Sequence, residues 1–331
     1  MKILLMLAHS IAEYDDLRML TDLGHDVFSI GAYTNPHAPG DDMRPPLPDA
    51  PYHPELEALV PDQMEAKENL PGDLIDWADA IIVHHYPREW VIKQWTRIRH
   101  KRVIWRTCGQ SDQSLEADML RLRYDGLQIV RYSPREGHYF TKYGTAFAGQ
   151  DALIRFGKYP GDYAEWVGDL PVVTNVTQNM KGRGRWVGAQ WYAHATTGLA
   201  ARPMGPGSEE YPGGLGRVEP HVMAHTLQHA RAYVYCGTNP APYTLALMEA
   251  MMAGVPTVSI GPGAWMGPEP LFEGHLLASD YADDPYQARD KLARILADDG
   301  WAATLSAEMR DRAVELFGIE RVGAQWAEFL G

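Results

Sequence analysis

Short apolar runs of four to six residues alternate with helix-length segments along nearly the whole chain, and this rhythm leaves few folds open. In the first half the runs are Lys2–Leu7, Asp26–Ile30, Ala80–His84, Arg102–Arg106 and Leu127–Arg131, with helices predicted over 12–23, 73–78, 88–99 and 114–123. The pattern restarts at Pro171–Asn175 and continues through Ala200–Met204, Ala232–Tyr235, Pro256–Ile260 and a further candidate at His275–Ala278. Helices are predicted there over 185–196, 220–230, 243–253, 285–297, 302–316 and 319–330. Runs that are apolar throughout are buried on both faces, as in a parallel sheet covered by helices. The expectation is an α/β protein of two doubly wound, Rossmann-like domains facing across a cleft, with ligands at the carboxyl ends of the strands. The loop-like stretch from Gly157 to Pro171 marks the seam. It divides the chain into an acceptor-side domain 1–168, a donor domain 169–317 and a helix 318–331 expected to pack back on the first domain. Segment 33–56, rich in Pro, Gly, Asp and His, reads as a long loop of the kind that often carries function.

A chain of 331 residues can bury two cores without disulfide or metal support. Its two cysteines, Cys108 and Cys236, stand far apart, which argues against a cysteine zinc site and for a reducing compartment. The thirteen histidines form no H-E-x-x-H, and the neighbours His84 and His85 are poorly spaced to ligate one ion from a strand. The first apolar run is short and gives way to His9, Ser10, Glu13, Asp15 and Asp16, so it reads as a buried strand rather than a leader. No stretch approaches the roughly 18 apolar residues of a membrane span, and a cytoplasmic location is expected. Asn175-Val-Thr177 matches a glycosylation acceptor, which carries no meaning in that compartment. The net charge of −13 disfavours polyanionic partners, yet from Arg88 to Lys142 there are 12 Lys/Arg against 6 Asp/Glu.

The most informative segment runs from Ala232 to Pro256. A strand ends at Cys236, a turn-rich loop follows from Gly237 to Pro242, and a helix opens near Tyr243. That helix closes at Gly254, a residue suited to the left-handed C′ position. A loop feeding a helix N-terminus presents backbone N–H groups and the positive end of the dipole, an arrangement that binds anions. Leu245, Ala246, Leu247, Met248, Ala250, Met251, Met252 and Ala253 make the helix apolar on all sides, so it is buried. Glu249 in its middle either meets a ligand or points through a gap to cap a neighbouring loop.

The pattern L-x-x-x-E-A-M-x-x-G-x-P after a strand and loop resembles glycosyltransferase family 4 and its relatives of the GT-B fold. The resemblance implies that Glu249 binds the ribose hydroxyls of a nucleotide-diphosphate sugar. It also implies that the loop Ala241-Pro-Tyr243-Thr244, with Leu245, cradles sugar and diphosphate through backbone amides. The family has a second Glu where this chain has Ala241. Gly205 sits in the place of the family's Gly-rich turn, and Lys181 in that of its diphosphate lysine. The family's arginine position is Val176 here, with Arg183 or Arg185 as substitutes and Asn175 or Thr177 as further donors. In the first half Leu23-Gly-His-Asp-Val27 resembles the family's first helix-to-strand turn, while the usual Gly-Gly after strand one is missing. A functional His that relatives carry after the fourth strand is missing too, where Thr107, Gln110 and Ser111 stand. His9, His84 and His85, at neighbouring strand ends, are therefore the catalytic or acceptor-side candidates.

The resemblance implies a retaining, metal-independent glycosyltransferase that needs no cofactor beyond its nucleotide-sugar co-substrate. Alternatives are a sugar-nucleotide 2-epimerase, or a non-catalytic nucleotide-sugar-binding protein favoured by the missing Glu. No Asp-x-Asp near a strand end offers a metal anchor; the pairs Asp15-Asp16, Asp41-Asp42 and Asp283-Asp284 lie in helix, loop and helix-entry contexts. The basic island, with Lys93, Arg97 and Lys101 four residues apart, points to an anionic acceptor such as modified DNA or a phospholipid-linked glycan. Gly261–Gly267 mimics a dinucleotide fingerprint, but Pro262, Pro268 and Pro270 preclude the helix it needs. Tyr281–Asp284 reads as a solvated helix entry.

Overall fold

The computed structural model describes residues 1–40, 43–61, 69–109, 111–137, 144, 146–264, 267–272 and 281–331. The expected strand His275–Ala278, the pair Asp41-Asp42, Gln110 and Lys142 lie outside the described residues. The chain forms two compact units, one of Met1–Gly157 with Ile319–Gly331 and one of Lys158–Gly318. Among the described residues no helix is long and apolar enough to cross a membrane.

Unit 1 is built on a six-stranded sheet, β1 (Lys2–Met6), β2 (Asp26–Ser29), β3 (Ala80–Val83), β4 (Arg102–Arg106), β5 (Gln128–Arg131) and β6 (Ala152–Leu153). Its order is β2-β1-β3-β4-β5-β6 and every pairing is parallel. Ile3, Leu4, Leu5, Ile81, Ile82, Val103 and Ile104 are all buried, as a sheet covered on both faces requires. Helices α1 (Ser10–Asp22), α2 (Pro54–Glu57), α3 (Gly72–Trp77), α4 (Trp95–Ile98) and α5 (Gln113–Tyr124) belong to the first stretch of this unit. The helix expected over 88–99 is instead a π-helical turn at Arg88–Ile92 followed by α4. A continuous α-helix would turn Trp90 and Trp95 about 140° apart. The wider turn, closed by Lys93 N–H to Arg88 O at 3.0 Å, lets both indoles be buried. The loop 33–56 runs into one helical turn, α2, with proline at its first position. Its start is pinned by the buried carboxylate of Glu13, which accepts from Ser29 Oγ at 2.5 Å, Ala32 N at 2.8 Å and Tyr33 N at 2.9 Å.

Unit 2 repeats the theme with β7 (Leu170–Val176), β8 (Ala201–Met204), β9 (Ala230–Tyr235), β10 (Thr257–Ile260) and β11 (Tyr281–Ala282), in the parallel order β11-β10-β9-β7-β8. Its helices are α6 (Met180–Arg183), α7 (Ala189–Ala195), α8 (Pro220–His229), α9 (Leu245–Ala253), α10 (Pro285–Ala297) and α11 (Asp299–Phe317). The helix expected over 185–196 is instead a 3₁₀ turn at Gly184–Val187 followed by α7, because Gly184 and Gly188 take φ of +43° and +62°. A side chain at Gly188 would stand 2.5 Å from Cys236 O, so this break brings the backbone against the end of β9. Tyr281 and Ala282 form an edge strand, and only Asp284 acts as the helix entry, accepting from Tyr286 N and Gln287 N.

After Phe317 the chain returns to unit 1 as α12 (Ile319–Leu330). Arg102 fastens it by donating to Leu330 O at 2.6 Å and Phe329 O at 2.5 Å. The buried guanidinium of Arg106 lies over the rings of Phe156 and Trp326, at 4.5 and 5.0 Å.

Candidate functional site

In an open parallel sheet the chain leaves β1 in one direction and returns on its other side, and ligands bind at that switch point. In unit 1 the switch lies between β1 and β3, and the turns after these two strands carry His9, His84 and His85. The structure brings all three together. His9 and His85 stack with ring centroids 6.3 Å apart. His84 is fully buried, with Nε2 3.0 Å from Asp16 Oδ2, and the same oxygen lies 3.3 Å from Arg106 Nε. These contacts are close but bent, as in a packed ion cluster rather than a linear hydrogen bond. Burial holds the His84 imidazole below its ordinary value although Asp16 pulls the other way. Burial beside His84 and His9 lowers His85 to about 3, so both rings are neutral at pH 7.

A cavity of about 110 Å³ opens at these strand ends. His84, His85, Tyr86 and Pro87 line it from β3, and Trp105, Thr107, Cys108 and Ser111 from β4. Behind it, Thr107 Oγ1 donates to Glu136 Oε2 at 2.6 Å and Ser111 Oγ to Glu116 Oε1 at 2.7 Å. Glu116 is paired through both oxygens with the buried Arg131. Tyr86 holds φ at +52°, a left-handed conformation that is costly for a bulky residue and collects at ligand sites.

In unit 2 the switch lies between β7 and β9. Arg183, at the end of α6, donates to Thr238 Oγ1 at 3.2 Å across this point. Thr244 is the N-cap of α9, its hydroxyl accepting from Leu247 N at 3.2 Å, so the first turn of α9 faces the same loop. Tyr235, buried at the end of β9, senses both Thr244 and Arg183. Gly254 closes α9 in the left-handed conformation, with φ +81°. Tyr243 is buried against Phe317, whereas Ala241 and Leu245 are partly exposed on either side of it. Gly205 takes φ +104°, and a side chain there would stand 2.2 Å from Thr177 O. Gly205→Ala is therefore expected to lower stability by about 1–3 kcal/mol; an unchanged melting temperature would refute this close approach.

Not every expected donor residue joins this convergence. Lys181 is exposed and hydrogen-bonded to Glu210. Arg185 lies over the Trp186 ring at 4.9 Å. Glu249 is 3% exposed and faces the fully buried ammonium of Lys158 at 3.7 Å. The basic island also divides. Arg106 and Arg131 are buried, Arg88 pairs with Asp112 and Asp118, and Arg123 holds Ala148 O, Gln150 O and Asp151. Arg97 donates to Leu70 O and Lys101 to Asp76 O, and α4 ends at Ile98, so Lys93, Arg97 and Lys101 do not share one helical face. Among the described residues no group of three His, Cys, Asp or Glu side chains is placed to hold a metal ion.

Asp16, Arg106, Lys158, Thr238 and Glu136 were not picked out in the sequence. Only Asp16 carried a signal, as an acid between Ala12 and Leu20 on the buried stripe of α1. The others acquire their partners from remote parts of the chain.

No protein-family model matches the chain, and no curated protein matches it in sequence. Its fold recurs in solved structures. HepE from Anabaena, in complex with UDP and glucose, matches with a TM-score of 0.68 at 13% identity, over 100% of this chain and 99% of its own. A glycosyltransferase from Rickettsia africae matches with a TM-score of 0.68 at 10% identity, over 99% and 97% of the two chains. A BGT mutant from phage T4, in complex with UDP-glucose, matches with a TM-score of 0.56 at 11% identity, over 100% and 98%. At such identities the likeness is one of fold. The α/β class of two parallel sheets expected from the sequence is the class these structures share.

Proposed function

We propose that the chain is a glycosyltransferase that holds a nucleotide-diphosphate sugar on unit 2 and receives an acceptor hydroxyl at the cavity of unit 1. The observation that carries this reading is the convergence of Arg183, Thr238 and the first turn of α9 at the switch point of the second sheet. A departing diphosphate needs preorganised donors and positive charge where its own charge develops, and an arginine with helix-terminal amides supplies both. The solved folds bound to UDP and UDP-glucose lend support of a general kind. By resemblance, Glu249 meets the donor ribose, Lys181 reaches the diphosphate once released from Glu210, and transfer is retaining and independent of metal. Part of the basic island is paired internally, which weakens the case for an anionic acceptor.

Ala241, in place of a family carboxylate, favours a second reading as a nucleotide-sugar-binding protein without turnover. Calorimetry with UDP and UDP-glucose, followed by assay of sugar transfer and of donor isomerisation, separates the two readings and the epimerase. Arg183→Ala is expected to weaken UDP binding by about 1–3 kcal/mol, roughly tenfold to hundredfold. Absence of nucleotide binding by the unaltered protein, or equal binding by this variant, would refute the proposal.

A further inference from the structure

Four residues that line the unit 1 cavity, Thr107, Ser111, His84 and Cys108, turn their hydrogens away from it. Thr107 gives its hydroxyl hydrogen to Glu136, whose Oε2 also accepts from Tyr132 N at 3.1 Å and so acts as the acceptor. Ser111 gives its hydrogen to Glu116. His84 presents Nε2 to Asp16, which accepts only, so the ring proton belongs on Nε2 and Nδ1 carries the lone pair. That Nδ1 is buried and has no hydrogen-bond partner among the described residues. Even the Cys108 thiol faces inward, to His84 O at 4.0 Å. Three buried carboxylates thus take the hydrogens of three lining residues and leave their acceptor lone pairs, while the neutral His85 ring and the Tyr86 hydroxyl each keep one hydrogen to donate.

An uncharged lining with more acceptors than donors disfavours phosphates and carboxylates and suits a ligand that donates hydrogen bonds. Ammonium groups and hydroxyls both do so. Asp16 is compensated by Arg106 and Glu116 by Arg131, so the local charge that would draw an ammonium ion is already balanced. Among the described residues no Lys, Arg, Asp or Glu lines the cavity, and the exposed ring of Tyr86 stands at its edge. The volume suits a few heavy atoms, such as a hydroxymethyl group, rather than a whole sugar ring.

We propose that this cavity is a subsite for a neutral, hydroxyl-bearing group of a carbohydrate, recognised by His84 Nδ1, Thr107 Oγ1 and Ser111 Oγ as hydrogen-bond acceptors. The inference deepens the acceptor half of the reading above and rests on that reading for the identification of the ligand as acceptor.

Cys108 supplies a reporter. It is partly exposed at the cavity, whereas Cys236 is buried and its thiol is pushed up by burial, so alkylation distinguishes them. Iodoacetamide labelling of Cys108 is followed by peptide mass in the presence of methyl glucoside, glucose 6-phosphate, inorganic phosphate or ethanolamine. Methyl glucoside at tens of millimolar is expected to slow Cys108 labelling at least threefold, with phosphate and ethanolamine without effect. Ser111→Ala and Thr107→Val, checked for an unchanged melting transition, are expected to remove most of that protection. If either variant loses the transition, the other and the probe series on the unaltered protein still decide. No protection by the neutral glucoside, or equal protection by phosphate or ethanolamine, overturns the proposal. Calorimetry with UDP-glucose on the same protein tells the failures apart. Donor binding without Cys108 protection refutes this subsite alone, and protection without donor binding refutes the transferase reading alone.

Discussion

Lys158→Met is expected to lower the unfolding free energy by about 3–5 kcal/mol, the usual cost of stripping one partner from a buried ion pair. Lys158 is fully buried and Glu249 is 3% exposed, and the helix around Glu249 is apolar on every side. Remove the ammonium, and the carboxylate stays in a medium that cannot solvate it. Glu249→Gln is expected to cost a similar amount, by removing the negative charge that faces the buried lysine. The double variant Lys158→Met, Glu249→Met is expected to recover most of the loss, because a buried pair and an apolar pair of like volume differ little in stability. Urea unfolding of the four proteins measures this cycle. Single variants within about 1 kcal/mol of the unaltered protein would show that the pair carries no weight. If Glu249 also meets the donor ribose, Lys158→Met reduces affinity for UDP while leaving affinity for inorganic diphosphate unchanged.

The second large effect lies in pH. Burial pushes the Glu136 carboxyl up to about 7, against the pull of Arg131 and the hydrogen bond from Thr107. A carboxyl raised in the fold stabilises it fully below the unfolded value of 4.5, and that contribution is lost as pH rises toward about 7. The loss amounts to about 3 kcal/mol, at about 1.4 kcal/mol for each pKa unit. His85, lowered to about 3, acts in the opposite sense. Its contribution is present above 6.5 and is lost as pH falls from 6.5 toward 3, and His84 is shifted in the same direction. Between 4.5 and 6.5 the slope of Glu136 opposes those of His84 and His85, so the stability of the native protein is expected to fall only gently on acidification. Glu136→Gln keeps an acceptor for Thr107 and removes one slope, so its stability is expected to fall on acidification below 6.5. His85→Asn is expected to flatten the profile, because the remaining His84 slope and the Glu136 slope then oppose one another. Parallel stability profiles for the three proteins from pH 4.5 to 8 would refute both assignments.

The strands with a full apolar run were legible in the sequence, because a strand covered on both faces has no polar side to interrupt it. Edge strands β6 and β11, of two residues each, are too short to show a period and emerged only with their neighbours in place. The helix over 88–99 was misjudged because spacing alone does not reveal that Trp90 and Trp95 must both be buried. For the site, the strand, loop and helix around Thr244 were readable from local chemistry, since cap and left-handed stop act within a few residues. The three histidines were readable as strand-end residues, but their meaning came from Asp16 and Arg106, which stand 68 and 22 residues from His84. Local sequence carries no record of such pairings. The basic island shows the same limit, since composition counts charges without saying which are already paired.

The return of α12 to unit 1 has a consequence for how the protein is made. The carbonyls that receive Arg102 and the indole beneath Arg106 belong to Phe329, Leu330 and Trp326. A nascent chain grows from its N-terminus, and domains generally fold as units in that order. Here the first unit cannot finish its core until all of Lys158–Gly318 has been synthesised, while the second can close as soon as Gly318 appears. The ribosome therefore delivers a completed unit 2 beside a unit 1 that still holds two arginines without their final cover. A chain broken off anywhere in residues 158–317 lacks the closing helix of unit 1 along with some part of unit 2, so premature termination spoils both halves at once.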